Sequence, residues 1–282
     1  MTRRKTLKEL TIKDNFMFGA VMCEESNCKR LLELVLGFSI ERVEVSKEKS
    51  IIYHPEYKGV RLDVYAKDEK NTHYNVEMQA VAHAFLGKRS RYYHSQMDMD
   101  LLDSGREYEE LPNTYIIFIC DFDPFGARKY RYTFKHTCQE TPNVQLQDGS
   151  QTIFLSTKGR NPEEVPAELV KFLKYVQADL EESTSNYDDE FVASLQKAVH
   201  EIKQSRGMGE RYMLTELLMR DERKAGRIEG LRESILEFLS EMGAIPCVLQ
   251  ETILQANDLE QLRRWVKLAA KVDSIEQFMR EM

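Results

Sequence analysis

Two acids, Asp63 and Glu77, stand in runs whose side chains alternate. Val60, Leu62, Val64 and Ala66 alternate with Arg61, Asp63, Tyr65 and Lys67; beyond a charged turn, Tyr74, Val76 and Met78 alternate with Asn75, Glu77 and Gln79. A period of two is that of a strand, and two such runs joined by a short polar turn read as a β-hairpin. Asp63 then points with Arg61 and Tyr65, Glu77 points with Asn75 and Gln79, and antiparallel pairing can set the two rows side by side. Like charges opposed on a sheet repel. Either the carboxylates stand in water on the wet face of the hairpin, or they hold a cation, for which Mg²⁺ and its preference for hard oxygen ligands is the usual choice.

Other elements must hold this hairpin in place. Residues 1–13 carry Arg3, Arg4, Lys5, Lys8 and Lys13 against Glu9, a locally basic arm. Asp14 or Asn15 can cap a short helix bearing Phe16, Phe18 and Val21, and Ser26 can cap a second one that Gly37 stops. Residues 42–52 read as a first strand with a polar middle. Residues 87–104 change to helical spacing, with Tyr92, Tyr93, Met97, Leu101 and Leu102 on one side. The continuous apolar run 114–120 is that of a strand buried on both faces. Residues 130–136 and 152–155 are two further strand-like runs. The order helix, three strands, helix, strand predicts an α/β core over residues 1–160.

After Gly159 the composition shifts, and residues 161–282 are expected to form an all-helical region, with a linker at 181–186. Gly207 and Gly209 are expected to interrupt it, and a stripe from Leu214 to Met242 keeps helical period. A stripe that long needs a cover, either the first domain or a second copy, so a homodimer through the C-terminal helices is one expectation. Asn257 with Glu260, and Ser274 with Gln277, have the spacing of helix caps.

The formal net charge of -7 argues against a protein that coats nucleic acid over its whole surface, so such contact must come from local basic patches. The 5 cysteines contain no Cys-x-x-Cys pair and suit a reducing cytoplasm. The first ten residues are too polar for a signal peptide, and no run approaches the roughly 20 apolar residues that cross a bilayer. A cytoplasmic protein without a membrane partner is expected.

Lys13-Asp14-Asn15-Phe16-Met17-Phe18, Arg61-Leu62-Asp63-Val64, Val76-Glu77-Met78-Gln79, Arg89-Ser90-Arg91-Tyr92-Tyr93 and Phe122-Asp123-Pro124-Phe125-Gly126 form a spaced set. This set resembles the transposase-associated, recombination-promoting branch of the PD-(D/E)XK nuclease superfamily, in which an acid on one strand is followed by Glu-x-Lys on the next. The resemblance covers residues 8–160 and implies a restriction-endonuclease-like core. It further implies an Mg²⁺-dependent DNA endonuclease, with Mn²⁺ as a substitute, that hydrolyses phosphodiester bonds in recombination or transposition.

On that resemblance Asp63 and Glu77 are catalytic metal ligands, the main-chain carbonyl of Met78 is a third, and Asp14 is an additional acid, although capping alone explains it. Gln79 stands where the family pattern has Lys. Its amide can orient a water but brings no positive charge, which must come from a second metal or from elsewhere; Gln79→Lys is expected to keep or raise activity. Arg89, Arg91, Tyr93 and Gln96 lie on the helix after the hairpin, where guanidinium forks suit phosphates and rings can stack on bases, so this face is a DNA-contact candidate. The competing reading is a solvated helix whose tyrosines are core. The competing function is a catalytically weakened protein that binds DNA or a protein partner, favoured by Gln79 and the acidic overall charge.

Overall fold

The computed structural model describes residues 5–51 and 58–282. Arg3 and Arg4 of the basic arm and Ile52 of the first strand run lie outside the described residues. Two short helices, α1 (Asn15–Met22) and α2 (Glu25–Leu36), precede strand β1 (Val43–Ile51). Gly37 ends α2 with φ 79°, a left-handed turn that glycine adopts without a Cβ penalty. Ser26 falls inside α2, whose N-cap position is Glu24.

Alternation does produce the hairpin. β2 (Val60–Asp68) and β3 (His73–Gln79) pair antiparallel, with Tyr65 opposite Asn75 and Ala66 opposite Tyr74. Asp68 shapes the turn between them, because its Oδ1 accepts the amides of Lys70 at 2.9 Å and Thr72 at 2.8 Å. β4 (Thr114–Cys120) runs parallel to β3, which requires a crossover, and α3 (Leu86–Leu101) supplies it. β6 (Ser150–Ser156) lies parallel to β4, and β5 (Arg131–Phe134) closes the edge antiparallel to β6. The six-stranded sheet has the order β1-β2-β3-β4-β6-β5. Its central strand β4 is buried from Ile116 to Cys120, as its unbroken apolar run predicts. Tyr93 and Met97 of α3 pack into one core with Ile116, Phe118 and Phe154 of the sheet.

The sheet core is larger than the compositional break at residue 160 implies. α4 (Ala167–Gln177) and α5 (Glu190–Gln204) pack with α2, and Phe172 stacks on Phe191 at 5.8 Å. Residues 181–186, which read as a linker, are tied down: Gln196 Nε2 donates to the carbonyls of Ser183 and Ser185, each at 2.8 Å. The chain divides into compact units at Met1–Met208 and Gly209–Met282. Gly207 and Gly209 do not interrupt a helix. The break falls at Ser205, and α6 runs from Arg206 to Met242 through both glycines.

In the second unit the stripe of α6 finds its cover within the chain from Ile228 onward, whereas Leu214 and Leu218 stay exposed. Ile228, Ile235 and Leu239 are buried against Leu249 and Ile253 of α7 (Cys247–Gln255), Leu262 and Trp265 of α8 (Leu259–Ala269), and Phe278 of α9 (Ile275–Glu281). This part of the stripe therefore needs no second copy, because three short helices already remove it from water. Ser274 caps α9 as its spacing predicts, whereas α8 is capped by Asp258 and not by Asn257. Among the described residues no helix is long and apolar enough to cross a membrane.

One close approach behind the sheet has a testable cost. A Cβ on Gly159 would lie 2.3 Å from Cγ of Tyr130. The Tyr130 main chain is pinned on both sides, its amide donating to Asn161 Oδ1 at 2.9 Å and its carbonyl accepting from Ser156 at 2.9 Å. Gly159→Ala is expected to destabilise the chain by about 1–3 kcal/mol, the usual cost of overpacking, read as a lower urea midpoint. An unchanged midpoint would mean that the ring moves aside freely.

Candidate active site

The hairpin opens where its two acids meet. Aligned pairs run from Lys67 with His73 to Val64 with Val76, and beyond that point side chains replace ladder bonds. The amide of Asp63 donates to Glu77 Oε1 at 3.2 Å, and the amide of Met78 donates to Asp63 Oδ2 at 3.3 Å. Each carboxylate thus bonds the opposite strand, and the two negative groups are held in one place by main-chain donors. Asn15 adds its Nδ2, 3.4 Å from Asp63 Oδ2, and Asn75 Nδ2 donates to Glu77 Oε1 at 3.2 Å.

Glu77 is fully buried, with a side-chain exposure of 0%. Burial first, and the Asp63 charge second, push its carboxyl up to about 7. The opposing influence is Arg89 of α3, whose Nη2 donates to Glu77 Oε2 at 2.7 Å. The same guanidinium donates through Nη1 to Gln79 Oε1 at 3.3 Å and through Nε to the Tyr93 hydroxyl at 2.6 Å. It also lies over the rings of Tyr93 and Phe118, at 5.0 and 5.9 Å from their centroids. One rigid fork therefore joins the buried acid, the Gln79 amide and the aromatic core.

Arg89, expected on a DNA-contacting face, is instead built into the carboxylate site. Tyr93 and Gln96 are buried at 6% exposure each, so neither offers a surface to DNA. Tyr93 stacks on Phe118, and the competing reading of core tyrosines holds for it because α3 must cover β4. Arg91 alone of that set is exposed. Asp14 lies next to Asn15 but turns away from the acids: its carboxylate accepts the Thr11 amide at 2.7 Å and Lys5 Nζ at 2.8 Å. It makes no side-chain cap bond to α1 either. At the end of β3 the Gln79 carbonyl accepts the Asp121 amide at 3.0 Å. Burial raises the Asp121 carboxyl, but hydrogen bonds from Thr157, Lys158 and Lys13 outweigh it and hold the group below the usual range.

Sequence reasoning missed Asn15, Asn75 and the inward role of Arg89. Asn75 was visible in the row with Glu77. Arg89 had no signal, since helical spacing does not say which cation of Lys88, Arg89 and Arg91 turns toward the strand.

The donor chemistry fits a hard divalent cation. Asp63 and Glu77 offer carboxylate oxygens, with the Arg89 guanidinium already on Glu77 Oε2, and Asn75 Oδ1, in the same row, is buried without a hydrogen-bond partner. Among the described residues no third Asp, Glu, His or Cys joins the pair. An ion here would complete its shell with main-chain carbonyl, water and phosphate oxygens, which is the ordinary habit of Mg²⁺.

A mixed sheet with paired acids at an opened hairpin, backed by a crossover helix, is the frame of a PD-(D/E)XK nuclease. The family model for the PD-(D/E)XK nuclease family transposase matches residues 13–226, and the chain belongs to that family. The match runs beyond β6 through α4 and α5. No curated protein and no solved structure matches the chain.

Proposed function

We propose that the chain is a divalent-metal-dependent DNA endonuclease of recombination or transposition, with Asp63, Glu77 and the Met78 carbonyl holding Mg²⁺ or Mn²⁺. The observation that carries this reading is the convergence of Asp63 and Glu77 at the opened hairpin with Arg89 on the buried acid. When bound, such an ion lowers the pKa of an attacking water and neutralises phosphoryl oxygens. To hold the ion, Asp63 and Glu77 would give up the main-chain donors they now bond. Glu77 must release its proton to do so, and because burial raises its affinity for protons, the ionised form that binds a cation is favoured only above neutral pH. Arg89 supplies the positive charge that Gln79 lacks, and it also fixes the Gln79 carbonyl oxygen, leaving the amide nitrogen to orient a water or phosphate oxygen.

Supercoiled plasmid is expected to be nicked or linearised in Mg²⁺ or Mn²⁺ and left intact in EDTA. The second reading, a nuclease frame that only binds, is favoured by Gln79 and the net charge of -7. Binding to duplex DNA in Ca²⁺ with no cutting in any divalent metal would select it.

A further inference from the structure

The Phe122-to-Gly126 run is absorbed by none of the chemistry above, yet it is shaped with care. Asp123 accepts the amides of Phe125 at 3.1 Å and Arg128 at 2.7 Å through its two oxygens, and the Tyr132 hydroxyl at 2.7 Å. Gly126 takes φ 76°, a left-handed turn. The result places the Phe125 ring edge-on to Phe154, with centroids 5.0 Å apart at 89°. Phe134 of β5 meets Phe154 in the same way, at 5.7 Å and 90°. Phe125 and Phe134 nonetheless remain 45% and 47% exposed, so these rings do not complete a core.

They border a cavity of about 630 Å³ between α3 and the β5–β6 edge, the size of a small-ligand site. Its polar lining comprises neutral hydrogen-bonding groups, rim cations and two acids, Asp98 and Asp148. Ser90 and Thr152 hydroxyls meet at 2.6 Å, and His94 binds Thr114 and Thr152 hydroxyls at 2.8 and 3.1 Å. Burial lowers the His94 ring to about 4, which leaves it a neutral donor and acceptor. Toward the rim stand the cationic side chains of Arg91 and Lys135, and His136 paired with Asp148 at 2.6 Å. Aromatic walls, neutral hydrogen-bonding groups and rim cations are what a planar base and its phosphate require.

The cavity is also in line with the acids. Glu77, Phe118 and Phe154 are register partners across β3, β4 and β6, so they form one row on one face. Phe118 stacks on Phe154 at 5.0 Å, continuing the contact that Arg89 makes with Phe118. Two strand spacings of about 4.8 Å separate Glu77 from Phe154. That is about three base steps of roughly 3.4 Å rise along a duplex axis. We propose that this cavity binds a nucleobase with its 5′-phosphate, and that during cleavage the occupant is a base unstacked from the DNA near the cut. The second half rests on the nuclease reading; the free mononucleotide is the other source of the same chemistry.

Two measurements on the full-length protein separate these sources. Saturation-transfer NMR with deoxynucleoside monophosphates reads the cavity alone. Photocrosslinking of duplexes carrying 5-iodouracil at successive positions, bound in Ca²⁺, reads extrusion, and fluorescence anisotropy of the same duplexes reads DNA binding. Saturation of base protons is expected, together with a crosslink to Phe125 or Phe134 at one position. Phe134→Ala, at an exposed site, is expected to weaken mononucleotide binding about tenfold, the loss of one stacking partner. Mononucleotide binding without DNA binding would keep the site and remove the nuclease reading. DNA binding with crosslinks elsewhere and no saturation overturns the cavity proposal and leaves that reading standing. Absence of both kinds of binding overturns the cavity proposal as well.

Discussion

Glu77→Gln is expected to lose at least about 10³-fold in DNA cleavage, since a bound metal contributes several kcal/mol and each 1.36 kcal/mol is tenfold in rate. Asp63→Asn should do the same, because both acids are needed to make the opening anionic. Yet Glu77→Gln is also expected to make the protein more stable. Glu77 is fully buried, and burial with the neighbouring Asp63 charge raises its carboxyl from 4.5 to about 7 despite Arg89. Between those values the folded chain holds a proton that the unfolded chain has released, so stability falls as pH rises through this window, and above it the full penalty is present. An amide at position 77 keeps the shape and an oxygen for the Asp63 amide, and removes the penalty. In EDTA, Glu77→Gln should gain on the order of 1–3 kcal/mol over the parent at pH 8, and little at pH 4. Urea midpoints at the two pH values check this. A variant that cuts like the parent would move the site elsewhere; a variant whose gain over the parent is no larger at pH 8 than at pH 4 would mean that Glu77 carries no such strain. Loss of activity with gain of stability is the mark of a functional group held against its preference.

Arg89→Met is expected to cost about 10² to 10³-fold in cleavage, comparable to removing one preorganised donor at a developing charge, while DNA affinity in Ca²⁺ changes only a few-fold. A surface arginine that touches a phosphate would behave the other way, with affinity lost and salt dependence reduced. Arg89→Lys should not rescue, because a single ammonium cannot bond Glu77, Gln79 and Tyr93 together. The structure also reverses the expectation for Gln79→Lys. Arg89 Nη1 sits 3.3 Å from Gln79 Oε1, so an ammonium there faces a guanidinium, and the single variant is expected to lose activity. Combined with Arg89→Met, the same lysine finds Glu77 unpaired and should recover at least tenfold over Arg89→Met. Plasmid cleavage rates for the parent and the four variants decide it. Parent-like cleavage by Arg89→Met, or no recovery in the double variant, would remove Arg89 as the cation of this site.

Alternation with period two placed Asp63 and Glu77 on one face of a hairpin, since a strand leaves a side chain no other choice of side. The unbroken apolar run at 114–120 determined a strand buried on both faces, and the helix between required that strand to run parallel. Those local rules, with the spaced motifs, were enough for the class of fold and for the placement of the two acids on one face. What they could not carry is rotation and long-range packing. Which cation of α3 turns inward depends on how the helix lies over Phe118, so Arg89 became part of the site while Arg91 stayed outside and Tyr93 went into the core. Whether a composition break is a domain break depends on what packs there, and packing of α4 and α5 against α1 and α2, which themselves lie on β1, kept them in the unit of the sheet. The long stripe of α6 announced only that it must be covered. Helices α7 to α9 supplied the cover for its part from Ile228 onward, a choice made by contacts between residues tens of positions apart, where sequence periodicity has no reach.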